Sequence, residues 1–183
     1  MNIMGIDPSI NCTGAAIASD INTIYILLPA HMTKKMRNFK HDRISIIDYN
    51  KLETKGLNYE DKESTKAHNI YHIVTCLENI IQQYNIDHVV MEGVAYNAAG
   101  SVVDLAGLNF AIRMMLIRNN INFTIITPNT VKKFAVANGG ANKELMIYAW
   151  QQLEPEMKNI KDFKVDDLAD AYFMAQWGRT NIN

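Results

Sequence analysis

The chain has 183 residues, of which 48% are hydrophobic, and a formal net charge of −1. That length suits one domain with a real core, and the composition excludes a disordered or low-complexity chain. No apolar run approaches the length of a membrane span, and the two cysteines, Cys12 and Cys76, lack metal-ligand spacing. The opening Met-Asn-Ile-Met-Gly-Ile-Asp shows neither the basic nor the apolar region of a signal peptide. The expectation is a single domain over 1–183, in the reducing cytoplasm and without a membrane partner. A net charge near zero argues mildly against a nucleic-acid binder, but the charges are unevenly spread. Lys34, Lys35, Arg37, Lys40 and Arg43 fall between positions 31 and 43 against Asp42 alone.

Taken in chain order, Ile3 to Ile6 is an apolar run ended by Asp-Pro, a strand leading into a turn. Thr13 to Ser19 and Thr23 to Leu28 follow as two more strands, and the three predict an antiparallel meander closed by Pro29. Positions 30–62 are basic and then polar, with a short apolar island at Ile44 to Ile47. They predict a variable excursion or flexible loop outside the core. Ser64 to Tyr84 carries a helical apolar stripe, Ala67, Ile70, Tyr71, Val74, Leu77, Ile80 and Ile81. His88 to Met91 is a buried strand ending in Glu92.

Ser101 to Ile117 predicts a helix that is apolar on more than one face, as one would be that meets its own sheet and a partner subunit. Phe123 to Thr127 is a strand stopped by Pro128, with Thr127 or Asn129 able to cap the next helix. Gly139-Gly140 breaks that helix, and Asn142 caps another through Leu153. Val165 to Trp177 predicts a last helix bearing Asp166, Asp167 and Asp170. The fold class is α/β: a mixed five-stranded sheet, its first three strands antiparallel, flanked by helices.

Four acids stand out. Asp7 and Glu92 each end an apolar strand, and Asp167 and Asp170, at i and i+3, share a helical face. Asp166 and Asp170, at i and i+4, also share a face, so Asp166 competes with Asp167. Carboxylates at the ends of core strands are costly to desolvate unless a positive charge lies among them. Hard divalent cations are well suited to oxygen ligands, and two of them about 3.5–4 Å apart can clamp an in-line phosphoryl displacement. The pattern points to metal-assisted phosphodiester chemistry.

The run Gly5-Ile6-Asp7-Pro8-Ser9 with Thr13-Gly14, the Met91-Glu92-Gly93-Val94 strand end and Asp167-Leu168-Ala169-Asp170-Ala171 resemble the RuvC-type Holliday junction resolvases. The resemblance implies an RNase H-like fold and a homodimer. It also implies two Mg²⁺ or Mn²⁺ ions per site and paired symmetric nicking of a four-way junction, the branched-DNA partner. It implies Asp7, Glu92, Asp167 and Asp170 as catalytic metal ligands, with Lys132 and Lys143 holding the scissile phosphate. Tyr96 stands where the family places an aromatic that stacks on junction bases, displaced by about one position. Ser9 replaces a common Gly, so the turn after Asp7 has to avoid positive φ. The long excursion and low charge suit a divergent branch, bacterial or phage-encoded, with Lys34, Lys35 and Arg37 as additional phosphate contacts. Alternative functions are an RNase H-like nuclease for RNA–DNA hybrids or other branched DNA, and a non-catalytic junction-binding protein.

Overall fold

The structure is a computed structural model that describes residues 1–94, 102–160 and 163–182. Three strands open it: β1 (Ile3–Asp7), β2 (Cys12–Ala18) and β3 (Thr23–Pro29), paired antiparallel as expected. A short helix α1 (Lys34–Asn38) leads to strand β4 (Ile44–Ile46), and then come helix α2 (Tyr59–Gln83) and strand β5 (His88–Glu92). Helix α3 (Val102–Arg118), strand β6 (Asn122–Ile126) and helices α4 (Pro128–Val136), α5 (Lys143–Leu153) and α6 (Val165–Asn181) complete the order. A 3-10 turn, Pro155–Met157, lies between the last two helices. Among the described residues no helix is long and apolar enough to cross a membrane.

Among the described residues the sheet has six strands in the order β4-β3-β2-β1-β5-β6, not five. The extra strand is the Ile44–Ile46 island, which adds to the edge in parallel with β3. Three residues are too few to show an alternating pattern, so only the pairing partner reveals them as a strand. Helix α2 also begins earlier than its apolar stripe. Its first turns lie in solvent, where no periodicity is required, and Asn58 caps it by accepting from the Asp61 amide. Helix α4 ends before Gly139: Ala137 takes the left-handed conformation (φ 57°) and its amide bonds to the Lys133 carbonyl.

Only β2 runs against the other five strands. The C-terminal ends of β1, β3, β4, β5 and β6 therefore meet at one edge of the sheet. Strand alternation sorts the side chains between two cores. Met4, Ile6, Val89 and Met91 face α2 and α3, whereas Ile3, Ala16 and Val90 face the helices α4, α5 and α6.

Helix α6 lies almost on the backbone of the first strands, and two glycines allow it. A Cβ on Gly5 would sit 2.0 Å from the Ala171 carbonyl oxygen, and one on Gly14 would sit 2.4 Å from that of Asp167. Any larger residue at either position would lift the helix from the sheet.

Candidate active site

The same alternation that fills the two cores aims the acids. Along β1, Ile3 and Gly5 face α6, so Asp7 does too; along β5, Val90 faces that side and Glu92 follows. The parallel register pairs Ile6 with Met91, and one further step sets Asp7 beside Glu92. From above, α6 brings Asp167 and Asp170 onto this edge, at a height set by the contact of Asp167 with Gly14. Four acidic residues separated by most of the chain thus become neighbours.

Their electrostatics follow from burial and crowding. Burial, then the charges of Asp167, Glu92, Asp170 and Asp166, push the Asp7 carboxyl well above its ordinary range. Burial and Asp170 raise Glu92 to about 7, against the pull of Lys132. Asp167 rises to about 6 through burial and Asp166, with Lys164 opposing. Asp170 rises to about 6 through burial and Asp166, with Lys132 and Lys143 opposing. Like charges crowded in a poorly solvated site favour the protonated forms. Asp167 is 9% exposed, and its Oδ2 has no hydrogen-bond partner among the described residues. The neighbouring Cys12 thiol is pushed up by burial and by Asp167, so it stays neutral.

Asp166 behaves differently. Lys143 Nζ donates to its Oδ2; although burial works the other way, this bond and the Lys143 charge hold Asp166 below its ordinary range. The two rivals thus part: Asp167 is buried and unpaired at Oδ2, whereas Asp166 is occupied by a lysine. Lys132, in α4, sits close enough to Glu92 and Asp170 to lower both. Thr127 caps α4 as expected, accepting from the Thr130 amide. Lys164, just before α6, acts on Asp166 and Asp167 and carries no sequence signal beyond its position.

The turn after Asp7 is held without glycine. Ser9 Oγ accepts from the Asn11 and Cys12 amides, and Thr13 Oγ1 accepts from the Ser9 amide while donating to the Ser9 carbonyl. Ser9 is absent from the positive-φ positions, so the chain avoids the strain that its side chain would otherwise incur. Lys34, Lys35 and Arg37 are exposed on α1, which leaves the sheet from the same edge shortly after Pro29. Phe39 packs edge-on against Phe163, at 4.6 Å between ring centroids, and so docks this basic segment beside the start of α6. Tyr96 lies outside the described residues.

The carboxylates offer an all-oxygen donor set of the kind that hard divalent cations prefer. No three His, Cys, Asp or Glu side chains among the described residues converge tightly enough to hold an ion as they stand. The buried, unpaired Asp167 Oδ2 is the atom that a cation would satisfy.

A mixed sheet that opens with an antiparallel meander and carries acids from β1, β5 and a C-terminal helix at one edge belongs to the RNase H-like class. Within that class the family model described as "Crossover junction endodeoxyribonuclease RuvC" matches residues 51–176, and the chain belongs to the RuvC family. Similar proteins of that name include one from Orientia tsutsugamushi, strain Ikeda, 30% identical over 94% of this chain and 93% of its own. Another, from Wolinella succinogenes, is 28% identical over 91% and 88% of the respective chains. Among solved structures, Thermus thermophilus RuvC shares the fold with a TM-score of 0.62 at 12% identity, covering 98% of this chain and 96% of the other. The same enzyme in complex with Holliday junction substrate gives 0.62 at 13% identity, over 99% and 96%.

Proposed function

We propose that the protein is a Holliday junction resolving endonuclease, one nuclease domain that uses Mg²⁺ or Mn²⁺ to cut two symmetric phosphodiester bonds in a four-way DNA junction. The observation that carries this is the convergence of Asp7, Glu92, Asp167 and Asp170 at one sheet edge in a chain of the RuvC family. The family implies dependence on a divalent metal, and the choice of Mg²⁺ rests on the hard oxygen donors.

Two bound cations would supply Lewis acidity at the phosphorus and a water acidic enough to attack near neutral pH. Asp7 would be the central ligand, since its carboxyl feels all three of the others. Glu92 would flank it on one side, and Asp170 with Asp167 on the other. Asp167 is preferred over Asp166 because Lys143 already occupies Asp166. Lys132, directed at Glu92 and Asp170, would hold a non-bridging oxygen of the scissile phosphate and offset its growing charge. Lys143 would do the same once released from Asp166. Attack in line on phosphorus leaves a 5′-phosphate and a 3′-hydroxyl, the proton passing to the departing 3′ oxygen. Exposed Lys34, Lys35 and Arg37 would contact backbone phosphates, and Tyr96 would stack on an unpaired base.

Two cuts related by symmetry call for two active sites, and the outer face of α3 supports a homodimer. Val103 is 81% exposed, Met114 69% and Ile117 64%, with Tyr71 of α2 at 65% beside them. Burying that stripe against a second copy would complete the apolar face that the helix leaves open. A cytoplasmic location, in a bacterium or in the host of a phage, follows from the same function.

The deciding assay is cleavage of a labelled four-way junction beside matched linear duplex and RNA–DNA hybrid, with and without Mg²⁺. Paired symmetric nicks in the junction alone, dependent on the metal, are expected. Cutting of the hybrid would move the activity to a broader nuclease, and tight junction binding without cutting under any divalent ion would make it a binding protein.

A further inference from the structure

Glu92 is held from behind by a residue that none of the site chemistry explains. Asn109, in α3, is 2% exposed on the face of the sheet opposite α6. Its Nδ2 donates to the Glu92 backbone carbonyl at 2.8 Å. Its Oδ1 is buried and has no hydrogen-bond partner among the described residues. A buried amide left half satisfied costs free energy that an apolar residue of the same shape would avoid. A helix that packs through Leu108, Ile112 and Leu116 could have used leucine here.

Asn109 also lines a cavity of about 90 Å³ with Asp7, Pro8, Glu92, Gly93, Val94 and Leu105. That volume exceeds what one water requires, and its lining is polar enough to hold one. The cavity touches Asp7 and Glu92 from the α3 side, so a water in it would lie against the last residues of β1 and β5.

We propose that Asn109 is a positioning residue for the Glu92 side of the cation site. Nδ2 fixes the end of β5 through its last carbonyl, and with it the position from which Glu92 enters the ligand set. The inference rests on the nuclease function proposed above, and it adds a residue that touches neither substrate nor the reacting atoms. Groups that orient metal ligands in this way typically change metal affinity about 10–100-fold when removed.

The test uses the full chain without DNA. Wild type and Asn109→Leu are titrated with Mn²⁺ alone, by calorimetry and by the paramagnetic resonance of free Mn²⁺, and their thermal midpoints are compared without metal. Expected is Mn²⁺ binding weakened about 10–100-fold in the variant, with little change in the metal-free midpoint, since relief of the unsatisfied Oδ1 offsets the hydrogen bond that the Glu92 carbonyl loses. A purely structural asparagine would lower the midpoint and leave affinity alone. Equal Mn²⁺ affinity in both proteins overturns the role of Asn109 while leaving the nuclease function intact. Failure of the wild type to bind Mn²⁺ overturns that function itself. Should Asn109→Leu not fold, Asn109→Ser is titrated in its place: weakened Mn²⁺ binding supports the role of Asn109, and unchanged binding overturns it.

Discussion

Two clusters of buried charge lie on this sheet, and they are built on opposite rules. At the far end of β3, Arg43 Nε donates to the Thr23 carbonyl at 2.8 Å, and its two Nη groups reach Glu154 and Glu156. The guanidinium also lies 5.7 Å from the centroid of the Tyr25 ring, whose hydroxyl accepts from the fully buried Trp150. The half-buried Glu154 there has its opposite in Arg43, and the exposed Glu156 adds to the pair from the rim. At the acidic edge Asp7, Glu92, Asp167 and Asp170 have one another, and burial and repulsion raise all four. A buried charge kept for architecture is neutralised within the chain; one kept for chemistry is left for something outside the chain to neutralise.

The sharpest way to break this contrast is Asp7→Asn. Removing the central carboxylate should lower junction cleavage by about three orders of magnitude or more, as loss of a transition-state electrostatic group does. It should also raise the metal-free thermal midpoint near pH 8 by about 2–4 °C, because it relieves repulsion worth on the order of 1 kcal/mol. Cleavage and calorimetry together check it; a variant that is both inactive and less stable would mean that Asp7 is a structural residue. Arg43→Ala should do the reverse. It strands Glu154 in a site where the side chains are only 18% and 15% exposed, and should cost about 3 kcal/mol by urea denaturation. Cleavage per folded molecule should be unchanged.

Acidity separates the clusters next. Glu92 titrates near 7 and Asp167 and Asp170 near 6, all above their ordinary values. A raised carboxyl contributes stability that is complete below its unfolded pKa and is lost as pH rises through the folded one. The metal-free protein should therefore lose stability between about pH 4 and pH 7. Cleavage has the opposite sign, because cations compete with these protons. At sub-saturating Mg²⁺ the rate should fall about tenfold from pH 8 to pH 6, tracking Glu92. A pH-rate profile that stays flat across this window would show that the acids are already ionised together.

How much of this can be read from the chain depends on how local the signal is. Asp7 and Glu92 are legible because each ends a continuous apolar strand, and Asp167 and Asp170 because they share a helix face. The choice between Asp166 and Asp167 is not, since i+3 and i+4 spacings to Asp170 both serve. The structure distinguishes the two by the approach of α6 to Gly14 and by Lys143 reaching Asp166. The Arg43 cluster joins residues over 110 positions apart, with no periodicity to announce it. The excess apolarity of α3 is readable, and it is the exposed stripe at Val103, Met114 and Ile117. The edge strand Ile44–Ile46 is too short to register. Asn109 gives no sign, because a single polar residue in an apolar helix looks the same whether it faces solvent or a strand end.

The weakest effect concerns the segment that ties the two clusters together. Residues 34–43 leave the acidic edge, pack Phe39 on Phe163 and end in Arg43, so one short stretch connects the acid site to the paired one. Lys34 and Lys40 are exposed along it. If they meet DNA phosphates, the double variant Lys34→Ala, Lys40→Ala should weaken junction binding only several-fold at moderate salt. Its plot of log affinity against log salt should be shallower by roughly 1.8, about 0.9 for each lost contact. Cleavage at saturating junction should be untouched, and so should the position of the cuts, since phosphate contacts carry no base identity. An unchanged salt slope would confine the segment to architecture, joining it to the Arg43 cluster and leaving Lys132, Lys143 and Lys164 as the cations of the acidic edge.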